Sequence, residues 1–235
     1  MAILSFPSVD SADENGLLAL GGDLEIDSLV MAYQQGIFPW PINDRYPLAW
    51  FSPDPRGIVE FRDLHLPRTL KKSIKRQPWK VTFNQDFKKI ITNCAKTKNR
   101  NKKEAQGTWI TKDIINAYTD FHEAGFAYSV EVWLEDKIVG GLYGVQIGNL
   151  ISGESMFHDI TDASKIALVS LMHVLKENKV HWLDTQMVTS VVHDLGGSEI
   201  PRSQFIHKLN HSLNTAVTLD FRKYNEIDVE QLVLS

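Results

Sequence analysis

The hydrophobic pattern changes period along the chain. Ala127–Trp133, Ile138–Ile147 and Leu150–Met156 are strongly β-prone or alternate at a spacing of two, separated by the short turns Glu135-Asp136 and Gly148-Asn149. This pattern predicts three strands in an antiparallel meander. A long helix over Ala163–Asn178 and a buried strand over Val180–Asp184 follow, then helices near Ser190–Leu195 and Arg202–Ser212. Upstream, Thr111 is placed to cap a helix ended by Gly125. Asn84 is placed to cap another helix reaching Ala95, after a strand over Lys80–Phe83. Pro67 suits the start of a short helix to Arg76. Before residue 60 the chain is rich in Gly and Pro, with one helix carrying Leu29, Val30 and Tyr33 and closed at Gly36. We read residues 1–62 as a small N-terminal domain and 63–235 as a second domain. The fold class is mixed α/β, with helices layered on a mixed sheet.

Composition adds little to this frame except through charge. With 235 residues, 43% hydrophobic and 23% charged, the chain is ordinary globular material. No apolar run is long enough to span a bilayer, and the start lacks a secretory pattern, so the expectation is cytoplasmic. Cys94 is the single cysteine, and no Cys or His cluster has zinc spacing, so neither metal nor cofactor is expected. Charge, however, is sharply divided. Arg62–Lys112 carries fifteen Lys or Arg against three acids; the remainder carries ten basic and twenty-six acidic residues. A local charge of +12 inside a chain of −4 points to an aimed contact with a polyanion, nucleic acid above all.

Arg68, Lys71, Lys72, Lys75 and Arg76 fall at i, i+3, i+4, i+7 and i+8, one face of a helix, with Leu70 and Ile74 left for packing. Like charges at that spacing repel, so helix stability alone does not favour the layout, whereas a phosphate backbone relieves it. A merely solvated lysine face is the bland alternative. The loop Lys96–Gln106, with five more cations, weighs toward nucleic acid. Gly140-Gly141-Leu142-Tyr143-Gly144 is a bare strand, fit either for a ligand or for tight packing against the long helix. Glu154 is a carboxylate in an otherwise apolar strand and needs a partner if buried. Asp184 and Gln186 end an apolar strand at i and i+2, where α/β proteins commonly bind ligands.

Several segments carry more than a pattern: Asn15–Leu24, Gly36–Trp40, Trp50–Arg56, Gly107–Thr111, Gly153–Phe157 and Ala163-Ser164-Lys165. In order and spacing they resemble the leucyl/phenylalanyl-tRNA–protein transferase family, over about Phe6 to Leu213. The resemblance implies a small N-terminal domain joined to an acetyltransferase-like domain. It also implies transfer of Leu, Phe or Met from aminoacyl-tRNA to proteins with N-terminal Lys or Arg, marking them for degradation. By the same resemblance, Arg68, Lys72, Lys75 and Arg76 bind tRNA, and Trp40, Trp109, Tyr118 and Glu154 surround the terminal adenosine. Leu142, Ile151, Gly153, Met156, Leu168, Leu171, Leu175 and Leu183 form the aminoacyl pocket. The partners are thus aminoacyl-tRNA and acceptor proteins, with the enzyme a monomer and no membrane involved.

The donor ester is already activated, and a free α-amine ordinarily titrates at about 7.7–8.0, so orientation can supply much of the rate. Asp184 is assigned to orient the amine and assist proton loss, or to act as an electrostatic anchor, with Gln186 positioning the amine or carbonyl. Two rivals stand beside this reading. An acyl-CoA N-acyltransferase shares the layout, but His158–Lys165 has no glycine and offers two carboxylates where a diphosphate would sit. A non-catalytic RNA-binding adaptor would need neither the pocket nor the Asp184–Gln186 pair.

Overall fold

The computed structural model describes residues 3–42, 46–96, 108–216, 219–227 and 229–233. The elements are β1 (Leu17–Leu20), α1 (Ile26–Gln34), β2 (Phe38–Pro39), β3 (Ala49–Phe51), β4 (Arg56–Glu60), α2 (Arg68–Arg76), β5 (Trp79–Phe83) and α3 (Phe87–Lys96). After the basic stretch, which past Lys96 lies outside the described residues, come α4 (Lys112–Glu123), β6 (Ala127–Leu134), β7 (Lys137–Ile147) and β8 (Leu150–His158). The chain continues with α5 (Ala163–Glu177), β9 (Trp182–Gln186), α6 (Ser190–Asp194), β10 (Ser198–Ile200) and α7 (Arg202–Leu213).

A three-stranded sheet has the order β1-β3-β2, and a seven-stranded sheet the order β10-β4-β9-β8-β7-β6-β5. The expected meander is β6-β7-β8, antiparallel throughout. Strand β9 joins it parallel to β8, and the two register at one pair, Ser152 with Asp184. The crossover between them is α5, whose side chains are almost all buried. A parallel pair requires a crossover of this kind, and the helix supplies it. One apolar cluster packs α2, α5 and the residues around Leu219–Leu232 on the sheet. A second gathers α1, α3, α4 and α7 with the aromatic residues of the small sheet.

Three local readings change. The range 1–62 includes Arg56–Glu60, which is a strand of the seven-stranded sheet between β10 and β9. Its Pro-rich lead hid a short run that is buried from Arg56 to Val59. Strand β10, three residues with two exposed, has no periodicity to read. Asn84 does not cap α3. It turns left-handed (φ 56°) and its Oδ1 accepts from Ser129 N at 2.9 Å, while Asp86 Oδ1 accepts from Lys89 N at 3.1 Å.

The bare strand is filled by protein. A Cβ at Gly140 would lie 2.5 Å from Ala163 Cβ, so α5 packs directly on β7. At Gly144 it would collide with the Tyr128 hydroxyl, which donates to Ser152 O at 2.8 Å. The glycines therefore serve tight packing, the second of the two alternatives.

Candidate active site

The site is built where backbone pairing between β8 and β9 stops. Beyond the Ser152–Asp184 pair no further residues of the two strands are in register, and the side chains of Glu154 and Gln186 bridge the gap. Gln186 Nε2 donates to Glu154 Oε1 at 2.8 Å, and Ser152 Oγ donates to the same oxygen at 2.7 Å. Gln186 is held at φ 54°, a left-handed conformation that costs a non-glycine residue of order 1–3 kcal/mol. Its backbone N–H donates to Asp184 Oδ1 at 3.0 Å, which fixes that turn.

Asp184 is itself held from below. Arg56, heading β4, donates from Nε to Oδ1 at 2.9 Å and from Nη2 to Oδ2 at 2.7 Å. Both side chains are at most 2% exposed. The third guanidinium nitrogen donates to Gly36 O at 3.0 Å, and the group lies between the rings of Phe38 and Phe205, 4.9 and 4.3 Å from their centroids. Both Asp184 oxygens are thus occupied by protein donors. Arg56 carried no role in the sequence reading. Its signal was a cation opening an apolar strand, matched by the one carboxylate inside another apolar strand.

Glu154 is half-buried, and its pKa is raised to about 7. Burial is the main cause; the Ser152 hydrogen bond and Arg56 oppose it, and Asp184 adds to it. Tyr33 lies close enough to the carboxylate to oppose the rise, and its hydroxyl pairs with that of Tyr118 at 2.6 Å. Burial and the nearby Glu154 charge push both phenols up, so they stay protonated. Glu131 makes the contrast. It is fully buried, accepts from Thr82 Oγ1 at 2.7 Å and from Ser129 Oγ, and ties β6 to the start of α3 through Asp86 N. All its partners are structural.

The remaining candidate residues fall into three places. Trp40 and Trp109 are half-buried with ring centroids 5.9 Å apart, while Tyr118 is fully buried behind them in the same cluster. Leu142, Ile151, Leu168, Leu171, Leu175 and Leu183 are buried together on the opposite face, with half-buried Met156 packed against them. Gly153 is half-buried at the strand gap, and a Cβ there would meet only Leu183 Cδ2, at 3.8 Å. Its missing side chain leaves room.

Arg68, Lys71, Lys72, Lys75 and Arg76 are all exposed on α2, with Leu70 and Ile74 buried beneath. Among the described residues none of the five cations forms an ion pair. Lys72 and Arg76 line a cleft of about 380 Å³ with Trp79 and the Ile160–Asp162 turn that opens α5. That helix carries Leu168, Leu171 and Leu175, so cations and aliphatic cluster share one layer. No described group of His, Cys, Asp and Glu can hold a metal ion, and no described helix is long and apolar enough to cross a membrane.

Two family models match the chain. Residues 58–210 match "Leucyl/phenylalanyl-tRNA protein transferase", and residues 22–54 match that family's N-terminal domain. Curated proteins named leucyl/phenylalanyl-tRNA–protein transferase are similar over nearly the full length. The one from Colwellia psychrerythraea is 43% identical, covering 93% of this chain and 91% of its own. That from Pseudoalteromonas atlantica is 44% identical over 89% and 88%, and that from Thermodesulfovibrio yellowstonii 44% over 89% and 84%. The chain belongs to the leucyl/phenylalanyl-tRNA–protein transferase family.

Proposed function

We propose that the enzyme moves Leu, Phe or Met from aminoacyl-tRNA to the α-amine of proteins beginning with Lys or Arg, forming a peptide bond that marks them for degradation. In this reading it works as a cytoplasmic monomer without a cofactor. The observation that carries the reading is the buried Arg56–Asp184 pair fixing Gln186 at the mouth of the strand gap, beside the room left at Gly153. The aliphatic cluster receives the amino-acid side chain, with Met156 adapting to its shape. Trp40 and Trp109 stack the terminal adenosine, each worth roughly 1–3 kcal/mol, with Tyr118 and Glu154 behind and below. The α2 cations meet acceptor-stem phosphates.

Of the two roles open to Asp184, the hydrogen bonds favour the anchor. Both carboxylate oxygens already accept from the Arg56 guanidinium, and they face Arg56 rather than the gap. Asp184 then acts on the reaction through Gln186, whose carboxamide orients the amine or the ester carbonyl. The test is direct: incubate the protein with labelled Phe-tRNA and peptides beginning with Arg, Lys or Ala. Amide formation with Arg and Lys peptides, and not with Ala, is expected. No transfer to any of them refutes the function, and equal transfer to Ala refutes the acceptor rule.

A further inference from the structure

Peptide-bond formation by an α-amine requires a place for a proton, and with Asp184 tied to Arg56 that place must be sought elsewhere. We propose that Glu154 is the catalytic base of this transfer: its carboxylate, held at the strand gap by Gln186 and Ser152, takes the proton from the attacking amine. The inference rests on the transfer reaction proposed above and adds the identity of the proton acceptor.

Geometry singles Glu154 out. Gln186 and Ser152 both donate to Oε1, so one face of the carboxylate is fixed by the residue that borders the reacting atoms. Of the two carboxylates enclosed on this sheet without a cationic partner in contact, Glu131 is sealed among structural donors. Only Glu154 is partly open and stands where the ladder between β8 and β9 ends. The groups facing it come from every neighbouring element: Tyr33 on α1, Tyr118 on α4, Tyr128 on β6, Tyr143 on β7, Asp184 on β9 and Arg56 on β4. The four phenols are pushed up and remain neutral. Asp184 and Arg56 are paired and act on Glu154 in opposite directions. Burial therefore sets its proton affinity, at about 7, close to that of the amine it must deprotonate.

The step balances. The amine nitrogen attacks the ester carbonyl carbon, and a C–N bond forms as a proton passes from nitrogen to Glu154. The ester C–O bond then breaks, and the ribose oxygen leaves with the proton that Glu154 returns. The products are an amide and a free ribose hydroxyl, and Glu154 ends as the carboxylate it began as.

The experiment is single-turnover transfer from preformed Phe-tRNA to a saturating Arg-peptide, by wild type and Glu154→Gln, from pH 5.5 to 9. The substitution preserves shape and removes the base. The rate is expected to fall by about 10²–10⁴-fold, the part of the acid limb near pH 7 to vanish and leave only the limb set by the acceptor amine, and affinity for Phe-tRNA to stay within about threefold of wild type. A variant rate within threefold of wild type overturns the proposal. So does a variant whose affinity for Phe-tRNA falls while its limb near pH 7 persists, since Glu154 would then only hold the adenosine. If Glu154→Gln fails to fold, the wild-type acid limb measured with two acceptor amines of different basicity decides. A limb that stays put belongs to Glu154, and one that moves with the amine refutes it. Wild type that transfers nothing to any peptide sinks the parent reading, an outcome visible before any variant is made.

Discussion

Removing Arg56 should do more harm than removing both members of its ion pair. Arg56→Met deletes two hydrogen bonds to Asp184, one to Gly36 O and the contacts with Phe38 and Phe205. More costly, it leaves a carboxylate that is 2% exposed without its counter-charge. Breaking such a buried pair from one side costs about 3–5 kcal/mol, whereas replacing both partners with apolar groups is often neutral. Asp184→Leu, which strands the guanidinium, should cost a similar amount. The double variant Arg56→Met/Asp184→Leu should therefore be more stable than either single one, with a coupling of several kcal/mol. For a chain of this size each kcal/mol moves the melting temperature by about 2–4 °C, so a single variant melts roughly 6–20 °C low. Urea unfolding of all four proteins closes the cycle. The recovered double variant should nevertheless be inactive, because Gln186 N–H has lost the Oδ1 that fixed its left-handed turn. Strictly additive costs, or a stable double variant with wild-type transfer, refute the reasoning.

Three further outcomes follow from the same geometry. The raised Glu154 pKa means its protonated form is favoured in the fold, a stability present below about 4.5 and lost as pH rises through about 7. Glu154→Gln should thus gain up to about 3 kcal/mol over wild type between pH 5 and pH 8; an equal difference in melting temperature at both pH values refutes the shift. Replacing Lys72, Lys75 and Arg76 with Ala should weaken tRNA binding and flatten the plot of log affinity against log salt by about 2–3, and an unchanged slope removes their phosphate contacts. Gly153→Ala meets only Leu183 Cδ2, at 3.8 Å, so it should fold normally while lowering Phe transfer relative to Leu. A ratio of kcat/KM values unchanged within twofold shows that the space at Gly153 is not where the side chain goes.

Periodicity carried the parts of the fold that own a periodic signal. The meander, α5 and α2 all carry local signals: β-prone runs between short turns, a long apolar helix, and cations opposite Leu70 and Ile74. Strands β4 and β10 were missed because their place depends on partners far away in the chain, not on their own residues. The same holds for the site. Asp184 and Gln186 were visible as polar ends of an apolar strand, and Glu154 as a lone carboxylate. That Gln186 touches Glu154, and that Arg56 consumes both oxygens of Asp184, are facts of tertiary pairing across 32 and 128 residues. The family motifs implied roles for individual residues, and the side-chain bonds add which of those residues are already committed to protein partners.

The 128-residue span from Arg56 to Asp184 has a consequence for the birth of the enzyme. An N-terminal fragment ending anywhere before β9 has its guanidinium but no carboxylate to receive it. The contact closes a loop of more than half the chain, the kind of long-range closure that comes late in folding. A ribosome must therefore synthesise most of the protein before the centre can assemble.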